Sequence, residues 1–260
     1  MRQLLLLAAV ALALPSLALG DPPRGGIVHV RVPPGTPLRA YGFQLFGGNC
    51  VTCHGPNGRG IYEPRHGSGD QSTLGPRLKG VGALSADFYL RTGYMPLRSA
   101  YVQPRRSRVL FSDREIRALV AYVASLGPGP AIPRPHPERG SVSEGLRLFT
   151  QHCAGCHQIN GEGGYVTGGV APPLKDATPV QVAQAIRVGP YLMPSFSERQ
   201  LGDGEVDSII RYVQVAQHPD NRGGWAIGNL GPIPEGLVAW LLAGSVLIGV
   251  ALVIGGRRPT

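Results

Sequence analysis

All four cysteines of this 260-residue chain stand in two copies of the pattern Cys-x-x-Cys-His, at residues 50–54 and 153–157. Two thiols three residues apart lie on one helical turn, where both can form thioethers with the vinyl groups of a porphyrin. The histidine that follows then lies beneath the iron as its proximal ligand. The spacing therefore predicts two covalently attached haem c groups. The predicted attachment residues are Cys50, Cys53 and His54, and Cys153, Cys156 and His157.

Two disulfides, or a zinc site built from these cysteines and histidines, are the alternative interpretations. Exported proteins favour disulfides, but that pairing leaves the histidine next to each cysteine pair without a role. A redox-active Cys-x-x-Cys normally belongs to a thioredoxin-like βαβ pattern, which this sequence lacks. Haem attachment explains all six residues together.

The methionines indicate how each iron would be closed on its other face. Apart from Met1, the chain has only Met95 and Met193, each followed by proline and lying 41 and 36 residues after the motif histidines. A buried packing role is the ordinary interpretation of a methionine. One matched Met-Pro pair per half instead predicts axial ligation of both irons. Closed His/Met coordination raises the reduction potential and favours electron transfer over ligand binding.

Two prolines near the motifs match between the halves, whereas the five remaining histidines have no matched counterpart. The matched prolines Pro76 and Pro172 are predicted to direct a backbone carbonyl at the second ring nitrogen of each motif histidine. The remaining histidines are interpreted as solvated surface. They are His29, His66, His136, His152 and His218.

The two motifs belong to an internal repeat. Gly-Phe-Gln-Leu-Phe at 42–46 and Gly-Leu-Arg-Leu-Phe at 145–149 precede them at a constant offset of 103 residues. Each half then closes with apolar residues at i, i+3, i+4 and i+7, which predicts a helix that buries one stripe. These residues are Ile116, Leu119, Val120 and Val123, and Val206, Ile209, Ile210 and Val213. The fold is therefore predicted as all-α, with two tandem domains of one type.

Proline and glycine divide the chain further. The first domain is predicted at 36–127 and the second at 141–218. Between them, the proline-rich linker 128–140 cannot continue a helix and favours an extended, semi-rigid spacer. With 38 glycines and 25 prolines, the chain needs an organiser other than a large apolar core. A buried porphyrin in each domain would supply those apolar contacts.

Both ends of the chain indicate export and membrane attachment. Residues 1–20 read as an export signal, with an uncleaved anchor helix as the alternative. Residues 236–256 carry no charge and would cover about 31 Å as a helix, enough to span a membrane. Arg257 and Arg258 follow this span and predict a cytoplasmic C-terminus. The domains would then lie on the extracytoplasmic side of the plasma membrane.

The chain carries a formal net charge of +9, which suits acidic partner surfaces or anionic lipid headgroups. No nucleic-acid partner is expected. A basic loop follows Met95, and it is either a solvated loop or a docking surface for an acidic redox partner or neighbouring subunit. Its arginines are Arg98, Arg105, Arg106 and Arg108.

Taken together, the motifs identify a family resemblance. Each half resembles a cytochrome c class I domain, with a phenylalanine on the entering helix, a Met-Pro pair and a tyrosine on the closing helix. The tail Gly-Pro-Ile-Pro-Glu-Gly at 231–236, with Trp240, and the order of the segments resemble the dihaem cytochrome c subunit of the actinobacterial menaquinol:cytochrome c oxidoreductase, the cytochrome bcc complex. The aromatic residues that carry the resemblance are Phe46, Phe149, Tyr122 and Tyr212.

This resemblance implies an electron-transfer subunit of a translocating oxidoreductase, with no catalytic site of its own. It implies a cytochrome b subunit, a Rieske iron–sulfur subunit as electron donor and a haem-copper terminal oxidase as acceptor. The short N-terminus departs from the longer, anchored starts of the family and leaves the number of membrane spans open.

Three rival functions remain. A dihaem subunit of another membrane oxidoreductase, such as an alcohol dehydrogenase or a terminal oxidase, would use the same ligands with a different neighbour. A dihaem peroxidase would need an open iron site, against which the two Met-Pro pairs argue. A haem-based sensor would need exchangeable ligation and an output domain, and only four residues follow the predicted span.

Overall fold

The fold is seen in a computed structural model, which describes residues 26–64, 71–97, 104–219 and 232–256. The predicted export segment at 1–20, His66, Arg98 and the two arginines at 257–258 lie outside the described residues.

The helices repeat in order between the halves, as the sequence repeat predicts. The first half holds α1 (Leu38–Asn49), α2 (Val51–His54), α3 (Gly82–Arg91) and α4 (Asp113–Ala124). The second half holds α5 (Val142–His152), α6 (Ala154–His157), α7 (Pro179–Val188) and α8 (Asp203–Gln217). A long helix, α9 (Pro232–Gly255), follows. The predicted all-α class is confirmed.

The sequence did not predict the small antiparallel hairpin that follows the motif in each half. Strands β1 (Ile61–Pro64) and β2 (Gln71–Gly75) pair in the first half, and β3 (Gly164–Val166) pairs with β4 (Gly169–Ala171) in the second. These strands have three to five residues, too few for an alternating pattern to stand out. Each hairpin returns the chain towards the histidine of its motif.

The entering and closing helices of each half pack together to form its core. Leu45 and Phe46 of α1 are buried against α4, and Leu148 and Phe149 of α5 are buried in the second core. The predicted stripes of α4 and α8 are confirmed, since all eight of their residues are at most 9% exposed.

A glycine lies where each helix pair crosses. A Cβ atom on Gly42 would overlap the backbone carbonyl of Ala118, and a Cβ atom on Gly145 would overlap that of Ser208. Only glycine allows the two backbones to approach this closely without moving a helix. The same glycine contact between helices therefore occurs within each half, just as the same motif does.

The residues before α1 pack on the first domain, beyond the boundary predicted at residue 36. Ile27, Val30 and Val32 contact its apolar core. The Val28 amide donates to Asn49 Oδ1 at 2.8 Å, and Asn49 Nδ2 donates back to the Val28 carbonyl at 3.0 Å. The first domain thus includes an N-terminal strap, residues 26–32.

His29 in this strap is not simply a solvated side chain, although more than half of it is exposed. Its Nδ1 lies 2.8 Å from Oε1 of buried Glu115. Glu115 also completes the capping box at the start of α4, accepting from the backbone amide and the hydroxyl of Ser112. One buried carboxylate therefore joins the strap to the closing helix.

From residue 237 to residue 255, helix α9 is apolar and almost wholly exposed. Its segment Gly236–Gly255 has a mean hydropathy of 2.7 and is the one helix in the described part of the chain that is long and apolar enough to cross a membrane. Trp240, near its start, is 80% exposed. Such a surface requires a lipid or protein environment.

We expect Gly42→Ala to lower the free energy of unfolding by roughly 1–3 kcal/mol, because the added methyl group forces α1 away from α4. Gly47→Ala is the matched control on the same helix, since a Cβ there meets no atom within 4 Å. It should be neutral or stabilise by up to about 1 kcal/mol. Urea unfolding of the haem-loaded, detergent-solubilised protein measures both, and equal effects would contradict the crossing contact.

Acid should remove the contribution of Glu115. Burial opposes its ionisation, but hydrogen bonds from Ser112 and His29 hold its pKa below the ordinary value of 4.5. Its stabilisation is thus present above that value and lost as pH falls through the folded pKa.

Glu115→Gln should lower the melting temperature at pH 7 through a loss of roughly 0.5–2 kcal/mol of capping. It should also flatten the decline of the melting temperature that the wild type shows below about pH 5. Circular dichroism melts from pH 7 to pH 3 measure both effects. Glu198→Gln, at an exposed carboxylate, is the control, and a wild-type pH profile in Glu115→Gln would refute the assignment.

Candidate functional site

Each Cys-x-x-Cys-His motif occupies a single helical turn. The His54 amide donates to the Cys50 carbonyl at 2.9 Å, and the His157 amide donates to the Cys153 carbonyl at 2.9 Å. Both thiols and the imidazole of a motif therefore project from one turn, as the spacing predicts.

The chain reverses immediately after each histidine. Gly55 adopts φ 69° and ψ 169°, and Gln158 adopts nearly the same conformation, with φ 60° and ψ 164°. This region is unfavourable for a residue with a side chain, but Gln158 Nε2 donates to the Gly163 carbonyl at 2.6 Å. The reversal brings the hairpin and the following loop beneath the histidine.

A backbone carbonyl fixes the orientation of each imidazole. His54 Nδ1 lies 2.8 Å from the Pro76 carbonyl oxygen, and His157 Nδ1 lies 3.1 Å from that of Pro172. A carbonyl oxygen only accepts, so Nδ1 carries the proton and Nε2 keeps the lone pair that a metal ion requires. The predicted role of the two prolines is confirmed.

The second imidazole is the more deeply buried. His157 is 8% exposed, and burial lowers its pKa although the hydrogen bond to Pro172 opposes this shift. A lowered pKa keeps the ring neutral, which is the form that binds a metal ion.

In the first half, Gly75 allows the loop to approach its histidine. A Cβ atom there would lie 2.6 Å from the Cys53 carbonyl oxygen and 3.1 Å from His54 Nδ1. The absence of a side chain thus lets the next residue, Pro76, present its carbonyl to the ring.

The first cysteine of each motif faces the apolar core of its half. Burial, together with the neighbouring thiol, raises the pKa of Cys50 to about 12 and that of Cys153 to about 11. Neither thiol is suited to act as a free nucleophile. A thioether has no proton to lose, so covalent attachment suits both positions.

The alternative sites fit these residues poorly. No disulfide joins any of the four cysteines. A structural zinc ion needs four ligands, whereas in the residues that the structure describes no group of three or more His, Cys, Asp or Glu side chains is arranged so that it could hold a metal ion by itself. Two thiols and one oriented imidazole per turn fit the attachment of a porphyrin iron.

The methionines lie on the same apolar clusters as the motifs. Met95 packs against the core that Cys50 also contacts, and Met193 packs against the core that Cys153 contacts. The structure thus brings one cysteine and one methionine of each half to a common cluster. Ligation of the iron by the two methionines stays a prediction.

Matched aromatic pairs brace each site. The ring centroids of Phe46 and Tyr122 lie 5.1 Å apart, and those of Phe149 and Tyr212 lie 5.2 Å apart. The Tyr212 hydroxyl donates to the Ile159 carbonyl in the turn after the motif. This hydroxyl contact was missed at the sequence level, although the matched tyrosines were a signal for it.

In the basic loop, Arg105, Arg106 and Arg108 are exposed. Arg106 also reaches the second half, where its guanidinium lies 3.5 Å from the Asp176 carbonyl oxygen. Binding of an acidic partner by this loop stays a prediction.

Two family models match the chain, one in each half. The model described as cytochrome c matches residues 40–127. The model described as cytochrome C oxidase, cbb3-type, subunit III matches residues 140–213. Each match contains one Cys-x-x-Cys-His motif and one Met-Pro pair.

Curated relatives match over most of the chain. The cytochrome bc1 complex cytochrome c subunit of Mycobacterium tuberculosis is 36% identical over 96% of this chain and 85% of its own length. That of Corynebacterium diphtheriae is 35% identical over 83% of this chain and 80% of its own length. The cbb3-type cytochrome c oxidase subunit FixP of Bradyrhizobium diazoefficiens is 27% identical over 53% of this chain and 45% of its own length.

The first two relatives match both halves at an identity above 30%, whereas FixP matches about half of the chain. The chain therefore belongs to the family of cytochrome c subunits of the bacterial cytochrome bc1 complex.

Proposed function

We propose that this chain is the dihaem electron-transfer subunit of a membrane quinol:cytochrome c reductase. It would accept single electrons from a Rieske iron–sulfur subunit and pass them to a haem-copper terminal oxidase. The observation that carries the proposal is the duplicated site, in which a proline carbonyl orients the motif histidine of each half. Membership of the cytochrome bc1 family supports the place of the chain in such a complex.

Four cysteines would hold two haem c groups, through Cys50 and Cys53 in the first half and Cys153 and Cys156 in the second. Bound haem c supplies a one-electron iron couple. The chain's own residues orient His54 and His157 through the carbonyls of Pro76 and Pro172, and they bury apolar surface around each attachment turn. Separate family matches in the two halves support a count of two.

Met95 and Met193 would each supply a second protein ligand to the haem iron of their half. Their packing on the same clusters as Cys50 and Cys153 supports this role. A methionine thioether, as a second protein ligand together with the histidine, would favour the reduced metal and leave no position for small ligands. With both faces closed, neither half would have a catalytic site of its own, and the translocase activity would belong to the complex.

Helix α9 would anchor the chain in the plasma membrane. Its 20-residue apolar segment matches a hydrocarbon core of about 30 Å. The arginines at 257–258 favour a cytoplasmic C-terminus, which would leave both haem domains on the extracytoplasmic side. A cytochrome b subunit is the expected neighbour within the membrane.

A second candidate is a subunit of a terminal oxidase, because the second half matches a model named for cbb3-type oxidase. The partial coverage of FixP favours the reductase. The two candidates share the haem sites and differ in their partners.

Replacing either methionine should open one iron without releasing its haem. Met95→Leu or Met193→Leu nearly preserves side-chain volume but removes the sulfur, so that iron should bind carbon monoxide and show a lowered midpoint potential. Redox titration and absorption spectra of the purified protein measure this, with the untouched half as internal control. An unchanged spectrum and potential would refute ligation by that methionine.

The subunits that co-purify with the protein should identify the complex to which it belongs. The tagged full-length protein, purified from gently solubilised native membranes, should bring down a b-type cytochrome, a Rieske protein and oxidase subunits. Recovery with a flavin or quinoprotein dehydrogenase, or with oxidase subunits alone, would contradict the reductase assignment and leave the haem sites standing.

A further inference from the structure

A buried polar contact joins the two halves of the molecule. Helix α3 of the first half packs against α7 of the second. At this contact, Gln184 Nε2 donates to Asp87 Oδ2 at 2.9 Å, across 97 positions of sequence. Asp87 is 4% exposed and Gln184 is 0% exposed. Burying a carboxylate and an amide between two domains costs free energy unless the two groups are hydrogen-bonded.

The Asp87 carboxylate is held from both sides. Arg91, one turn later on α3, donates from Nε to Asp87 Oδ1 at 2.7 Å, and its terminal nitrogen also lies 2.9 Å from Asp113. The first half therefore satisfies one carboxylate oxygen, and the second half satisfies the other. If the Gln184 donor were lost while the halves stayed docked, Asp87 Oδ2 would remain buried without a partner, which is costly for a charged group.

Gln184 has no competing role in the described residues. Its Oε1 has no hydrogen-bond partner there, so the contact that its amide makes is the donation to Asp87. The side chain is fully buried, although a helix surface would ordinarily carry such an amide in water.

The linker is held at both ends. The Leu84 amide at the start of α3 donates to the Pro130 carbonyl at 3.1 Å. Near the other end, the His136 amide donates to Asp207 Oδ1 at 2.6 Å. The extended linker predicted from its prolines thus docks on the first domain and then on the second. The docked linker therefore allows little movement between the domains. The contact between α3 and α7 then sets their relative orientation.

We infer that Asp87 and Gln184 form an interdomain lock that fixes the two haem domains relative to each other and so positions them for electron passage between the halves. The inference rests on the proposed function, because it concerns the distance between two haems. A single electron leaves one half and enters the other, with no bond made or broken and no proton moved. The rate of electron tunnelling falls steeply with the distance between the haems. A fixed orientation of the two domains fixes this distance and so sets the rate.

The test uses the full-length, haem-loaded protein. Gln184→Glu places a second carboxylate against Asp87 and should favour separated halves by roughly 10- to 100-fold, the range expected when a buried hydrogen bond to a charged group is lost. Pulsed dipolar electron paramagnetic resonance between the two ferric irons should then show a broad distance distribution in place of a narrow one. Electron equilibration between the haems after flash reduction should slow, while both midpoint potentials stay at wild-type values.

Two further variants test whether the effect of Gln184→Glu arises from the contact between Asp87 and Gln184. Asp87→Asn combined with Gln184→Glu exchanges the carboxylate and the amide between the two helices. The amide introduced on α3 can accept from Arg91 through its oxygen and donate through its nitrogen to the carboxylate introduced on α7. The double variant should restore the narrow distribution and the rate. Gln181→Glu is the matched control, one turn earlier on α7, where Gln181 Oε1 accepts from the Thr178 amide at 3.2 Å and a carboxylate can do the same.

A wild-type distance distribution in Gln184→Glu would overturn the lock, as would equal broadening in Gln181→Glu. If Gln184→Glu does not accumulate with both haems, Gln184→Met carries the test, because it removes the donor without adding charge. Broadening in that variant supports the lock, and a wild-type distribution overturns it. Failure of the proposed function looks different, since it would appear in the wild type as a missing haem or an open iron.

Discussion

The hydrogen bond from each motif histidine to a proline carbonyl is the constraint on which both sites depend. It decides which ring nitrogen carries the proton, and thus which one offers a lone pair to iron. The left-handed turn after each histidine, the hairpin and, in the first half, Gly75 all serve to bring that carbonyl under the ring. Cysteines alone would tether a porphyrin without orienting its ligand.

Around this bond, each half forms a small core in which the entering and closing helices cross at a glycine. Repetition extends to matched backbone angles, matched aromatic pairs and matched helix crossings, so the halves differ mainly in burial and in their neighbours. The first half carries the N-terminal strap, and the second carries the more deeply buried histidine. Contact between the halves includes the buried hydrogen bond from Gln184 to Asp87, which requires a specific relative orientation.

Local features of the sequence predicted most of this molecule. The motif spacing and the apolar stripes of α4 and α8 each depend on residues a few positions apart, and the structure agrees with them. The proline carbonyls could be anticipated because the repeat supplied two matched examples. By contrast, the pairing of His29 with Glu115 and that of Asp87 with Gln184 join residues 86 and 97 positions apart without a counterpart in the other half. No pattern within one sequence marks such pairs.

We expect each half of the chain to hold one covalent haem through its own cysteines. Intact-mass measurement of the purified full-length protein tests it most directly, alongside the paired variants Cys50→Ala/Cys53→Ala and Cys153→Ala/Cys156→Ala. The wild-type polypeptide should carry two haem groups, and each paired variant should carry one. A wild-type mass with one haem or none, or a paired variant that keeps both, would contradict it.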